Sequence, residues 1–146
     1  MKEPDLALLK QAMSELRDIN KEKRRTAVMK LGMIGGDEAV RTLIVAVRNP
    51  AEDLIVRGRA ALMLGKLGDL RAVDPLIAAL DEPSSGFQTG MYAAESLGKL
   101  GDRRAIEPLL RAAGTDGEKI REAAEAALAR LGYEANQPRA AVRQPV

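Results

Sequence analysis

The side chains of this 146-residue chain that can act on another molecule are arginines, lysines and carboxylates, because histidine and cysteine are both absent. The usual general base near neutral pH, the commonest metal ligand and every thiolate nucleophile are therefore missing. The acidic pairs Asp37-Glu38, Glu52-Asp53 and Asp81-Glu82 fall at helix starts and junctions, where carboxylates cap backbone N–H groups and complement the helix dipole. None stands alone in an apolar stretch, the setting that raises a carboxyl group for acid catalysis. Gly65-Lys66-Leu67-Gly68 and its copy Gly98-Lys99-Leu100-Gly101 lack the spacing and the hydroxyl residue of a phosphate-binding loop. Catalytic, metal and cofactor sites are thus not expected, and the chain reads as non-enzymatic. Recognition is what remains, and Arg41, Arg71, Arg104 and Arg111 are the candidate partner-binding residues.

A repeat positions these arginines. Leu31-Gly32, Leu64-Gly65 and Leu97-Gly98 lie 33 residues apart, as do Leu43, Leu76 and Leu109, and a partial copy ends at Leu131-Gly132. A fixed period of this size marks stacked supersecondary units, none able to bury its apolar face alone. Each unit divides into two helices. Val56, Ala60, Leu64 and Leu67 recur at helical spacing, Gly68-Asp69 interrupts, and Val73, Leu76, Ile77 and Leu80 form a second stripe. Pro75 and Pro108 are tolerated only in a first helical turn, so the helices holding them start close before. Gly65 and Gly98 fall inside helices, where glycine costs about 1 kcal/mol against alanine; their recurrence predicts close helix–helix approach.

The pattern predicts helices over roughly 5–18, 22–34, 37–48, 53–67, 72–81, 88–100, 105–113 and 118–131. One solenoid domain is expected over 1–133. It comprises a capping helix at 5–18, repeats at about 22–50, 53–83 and 87–115, and a partial one at 118–132. The aperiodic stretch 134–146, with two prolines, reads as a flexible tail.

The runs Val56-Arg57-Gly58-Arg59-Ala60-Ala61-Leu62-Met63-Leu64-Gly65-Lys66-Leu67-Gly68-Asp69 and Ala72-Val73-Asp74-Pro75-Leu76-Ile77-Ala78-Ala79-Leu80 resemble HEAT repeats. More narrowly, they resemble the short HEAT-like repeats named after the phycobilisome lyases, and the Leu97-to-Leu110 segment follows suit. The resemblance implies an all-α, right-handed α-α superhelix of about four helical hairpins, eight helices in all. Functionally it implies scaffolds, adaptors and lyase subunits alike. Helical-repeat hydroxylases bind iron through His-Glu motifs, which this chain cannot supply.

Arg24, Arg57 and Arg121 align at the starts of first helices, where a cation opposes the dipole, so each is expected to pair with a nearby acid such as Glu22, Glu52, Asp53 or Asp69. Gly90 breaks that series and, with Ser84, Ser85 and Gly86, marks the loosest junction. Phe87 aligns with Leu54 and is expected to pack between units. On the second helices, Arg41 is expected to meet Asp74 and Arg48 to meet Asp81, leaving Arg71, Arg104 and Arg111 as the recognition patch. The expected function is a non-catalytic adaptor that binds another protein through its second helices. The alternative is a lyase-like or chaperone-like subunit assisting tetrapyrrole (bilin) attachment to a client; aromatic scarcity, at 2%, opposes a dedicated pigment pocket. Nucleic-acid binding is the weakest reading, because 23 basic and 21 acidic residues leave a net charge of only +2. Lack of a signal pattern and of any run of about 20 apolar residues predicts a cytoplasmic protein away from membranes.

Overall fold

Left-handed glycines punctuate the chain at its repeat period. Gly68 and Gly101 adopt φ of 73° and 75° and end two helices, a conformation that costs any residue with a Cβ. The next residue then starts the following turn: Asp69 and Asp102 accept the N–H groups of Arg71 and Arg104 at 2.9 and 2.8 Å. The computed structural model describes residues 5–115 and 117–133, so the expected tail at 134–146 lies outside the described residues.

Eight α-helices follow one another, with no strand among the described residues: α1 (Leu6–Glu15), α2 (Lys21–Ile34), α3 (Asp37–Arg48), α4 (Leu54–Leu67), α5 (Val73–Asp81), α6 (Gly86–Leu100), α7 (Ile106–Ala113) and α8 (Glu118–Arg130). Short 3-10 turns at Leu70–Ala72, Pro83–Ser85 and Arg103–Ala105 introduce α5, α6 and α7. Pro75 and Pro108 sit in the first turns of α5 and α7, where the missing N–H has no helical partner to lose. The result is the expected α-α solenoid. Two boundaries differ from the sequence pattern. α1 stops at Glu15 because Asp18 accepts the Asn20 N–H at 2.8 Å and turns the chain. α6 begins at Gly86 because Glu82 caps the preceding turn through the Ser84 N–H.

First helices (α2, α4, α6, α8) form one layer and second helices (α3, α5, α7) the other. The repeat leucines sit between them: Leu31, Leu43, Leu64, Leu76, Leu97 and Leu109 are all fully buried. Each such burial contributes about 1.5–3 kcal/mol. The layers are packed unequally, with α4, α6 and α8 in broad contact and α3, α5 and α7 touching only sparsely. Glycine permits the tight side. A Cβ built on Gly98 would lie 2.9 Å from Ala127 Cα, and one on Gly65 would lie 2.8 Å from Ser96 Cα. At that junction the Ser96 hydroxyl, itself buried, donates to the Ala61 carbonyl at 2.6 Å.

Gly98→Ala and Gly65→Ala therefore push backbone against backbone. Each is expected to destabilise the fold by roughly 1–3 kcal/mol despite alanine's better helix propensity. Gly32→Ala meets the Met63 side chain first, including its Cβ at 2.8 Å; because the thioether can turn aside while no backbone atom is among the nearest, it should cost somewhat less. Urea denaturation of the three variants checks this order.

Candidate functional site

Ion pairs run along the second-helix face. Arg71 Nη1 reaches Asp37 Oδ1 at 2.8 Å while its Nη2 holds Asp69 at 2.7 Å. Arg104 repeats the arrangement with Asp74 at 3.2 Å and Asp102 at 2.9 Å. Arg111 meets Asp81 at 2.9 Å, and Arg41 pairs within its own helix with Asp37 at 3.0 Å. All four candidate arginines thus carry carboxylate partners.

The expected pairs Arg41–Asp74 and Arg48–Asp81 do not form. On this face Arg71, Arg104 and Arg111 reach back to the preceding unit, the first two because the turn after Gly68 or Gly101 places them at the near edge of the helix. Arg48 makes no ion pair among the described residues. Half-exposed pairs of this kind are worth about 0–1 kcal/mol each. They form a face of alternating sign, poorly suited to a phosphate backbone and well suited to another charged protein surface.

Where the second helices stand apart, clefts open between them. The one at the Gly90 junction has a volume of about 460 Å³ and is lined by Ala79, Leu80, Asp81, Glu82, Pro83, Gly86, Phe87, Gly90, Arg111, Ala112, Thr115, Gly117 and Ile120. Gly90 stands where the earlier first helices carry Arg24 and Arg57, so no guanidinium fills the space. Ile120 of α8 closes the floor, 3.1 Å from where a Cβ on Gly90 would lie.

Phe87 corrects its expectation: it is 64% exposed and rims the cleft instead of packing between units. Its position at the start of α6 points it off the buried face that Thr89, Gly90 and Ala93 form. Leu54, its counterpart one unit earlier, is 49% exposed as well. Of the four candidate arginines, only Arg111 reaches this cleft. Sequence reasoning found the break at Gly90 but missed the cleft, whose signal was the loss of a large side chain from a repeating position.

The resolved pKa shifts are those of ion pairs. Hydrogen bonds from Arg71 and Arg104 hold Asp69 and Asp102 below the usual carboxylate range. On the first-helix layer, Arg25 forks onto Asp53 through Nε at 2.8 Å and Nη2 at 3.0 Å. That fork, helped by the Val56 N–H, pulls Asp53 down to about 2. None of the resolved carboxylate shifts is upward, as a general acid needs. Among the described residues no group of three or more His, Cys, Asp or Glu could hold a metal ion, and no helix is long and apolar enough to cross a membrane.

Residues 7–90 match the family model for HEAT repeats. The chain belongs to the HEAT-repeat family. Residues 91–115, which include Arg104, Arg111 and all of α7, match the PBS lyase HEAT-like repeat. No curated protein matches the sequence significantly. Among solved structures, human deoxyhypusine hydroxylase in complex with glycerol is similar at 26% identity with a TM-score of 0.74, over 92% of this chain and 46% of that one. The complex of CpcE and CpcF of phycocyanin lyase from Nostoc sp. is similar at 29% identity with a TM-score of 0.73, over 85% of this chain and 53% of that one. This HEAT chain spans about half the length of each.

Both neighbours carry the names of enzymes, a hydroxylase and a lyase, and this overturns the expectation of a non-enzymatic chain. Lack of histidine and cysteine excludes particular catalytic groups; it does not exclude rate enhancement by holding reactants together.

Because Asp53 is held near 2 against an ordinary 3.8, its ion pair stabilises the fold fully above about pH 5 and loses that effect as pH falls toward 2. Asp53→Asn keeps the cap and removes the charge. It should cost roughly 1–3 kcal/mol at pH 7, with the gap from wild type closing by pH 2 in denaturation curves taken across that range.

Proposed function

We propose that this chain is a lyase-like HEAT subunit that seats a client protein on its second-helix face and a tetrapyrrole in the Phe87 cleft. The likeness to the phycocyanin lyase complex carries the reading, and the PBS-type repeat falls on the helix that supplies the cleft's Arg111 wall. Apolar walls suit an apolar ring system, and Arg111 at the mouth can turn from Asp81 to a carboxylate that the ring system carries. A cleft of about 460 Å³ falls within the usual range for small-molecule sites. Without imidazole or thiolate, the chain's contribution to such a reaction is to bring client and tetrapyrrole together in one orientation. The hydroxylase likeness gains less support, since no metal-holding group of side chains is found among the described residues.

The alternating-sign face offers a client complementary charges, which favour encounter and register more than raw affinity. Arg41, Arg71 and Arg104 lie along that face, with Arg111 where the face meets the cleft.

Titration with biliverdin, followed by visible absorbance, should give a saturable spectral change. Phe87→Ala and Arg111→Glu should each weaken it by about tenfold; an unchanged wild-type spectrum rejects the tetrapyrrole. The client arm is separate. Wild type should recover one stoichiometric protein from native-source extract, and reversing the charges of Arg71, Arg104 and Arg111 together should abolish that recovery. Equal recovery by both baits rejects the second-helix face.

A further inference from the structure

Arg57 is a buried cation with no anion beside it. It is only 5% exposed. Its Nε and Nη2 both donate to the Val47 carbonyl at 3.2 and 3.0 Å, and Nη2 also donates to Ser85 Oγ at 3.3 Å. Val47 lies in the last turn of α3, whose unpaired carbonyls carry partial negative charge. No carboxylate forms an ion pair with Arg57 among the described residues, contrary to the expectation from the aligned arginines.

The preceding unit shows what is missing. Arg24 holds the same place in its unit and donates through Nε to Glu52 at 3.0 Å, as well as to the carbonyls of Asp18 and Ile19. The residue 28 positions on is Glu52 for Arg24 and Ser85 for Arg57. A neutral hydroxyl has replaced a carboxylate, and the replacement falls beside the more buried of the two arginines.

The guanidinium also has an unused edge. Nη1 donates no hydrogen bond within the protein, yet no buried side-chain nitrogen lacks a partner among the described residues. Nη1 therefore keeps contact with solvent, and Arg57 is among the residues that line a cleft of about 240 Å³ between α3 and α5. Arg48 and Ser84 also border it. Its one acid, Glu82, is turned to Ser84, with Oε1 accepting from the Ser84 N–H at 3.3 Å and from Ser84 Oγ at 3.0 Å, and makes no ion pair with Arg57.

We infer that the cleft beside Arg57 is a binding site for a carboxylate, which occupies Nη1 and supplies the charge that Glu52 supplies to Arg24. The carboxylate belongs either to an acidic side chain of another protein or to a small free acid. The inference is independent of the lyase-like reading and of the Phe87 cleft.

The test uses the full chain labelled with 15N at arginine, titrated at constant ionic strength with acetate, a short peptide carrying one glutamate, inorganic phosphate and chloride. The Arg57 Nε–H resonance should shift saturably with a carboxylate probe and not with chloride. Tighter binding of the peptide identifies a protein side chain as the source, and tighter binding of acetate a free acid. Ser85→Glu restores the acid of the preceding unit and should weaken the response at least about tenfold while helical circular dichroism is retained. Arg48→Ala, on an exposed position, should weaken it severalfold and serves if Ser85→Glu does not fold. The inference is overturned by phosphate binding more tightly than either carboxylate, by no saturable shift, or by folded variants that respond as wild type does.

Discussion

The structure depends on how closely its first helices can approach. Gly65 and Gly98 leave no room for a Cβ against the neighbouring backbone, and the stack closes on that side until main chain nearly meets main chain. Glycine's poor helix propensity is offset by the dispersion contacts and the buried leucines that this approach makes available. The second helices have no equivalent device. They carry branched and charged side chains at their junctions and stand apart, so clefts belong to their side of the molecule. One layer holds the protein together, and its packing leaves the other free to present a surface.

Polar groups follow the same division. On the tight layer the buried ones lean on main-chain carbonyls, Ser96 on that of Ala61 and Arg57 on that of Val47, beside the part-buried pair of Arg25 with Asp53. On the open layer they are half-exposed and paired with one another across units. The pairs add little to stability, but they convert a set of arginines into a surface of alternating sign. A partner recognised there must match a pattern of charges rather than a pool of one charge.

Much of the architecture was legible because it follows from local chemistry repeated in register. Leucines at fixed spacing, left-handed glycines and first-turn prolines each restrict the backbone on their own, and their recurrence fixed the number and order of helices. Side-chain pairing was not legible. The distance from a guanidinium to the next unit's acid depends on helix offset, which no spacing rule specifies; Arg41 and Arg48 were assigned partners that Arg104 and Arg111 hold instead. Alignment of Phe87 with Leu54 does not imply burial, because Leu54 itself is half-exposed. The enzymatic likeness escaped for another reason: missing imidazoles and thiols restrict which bonds a chain can break, and say nothing of which molecules it can hold.

The backward reach of the cross-junction arginines has a consequence for how such a chain can change length. Arg71 pairs with Asp37, Arg104 with Asp74 and Arg111 with Asp81, always toward the N-terminus. A second copy of the unit at 53–83 would bring its own Arg71 to the Asp74 before it and offer its own Asp74 to Arg104 after it. The charge pattern of that unit therefore survives duplication, while an insertion of partial length takes arginine and acid out of register. The face can grow by duplication without being redesigned, provided that growth comes in steps of one repeat.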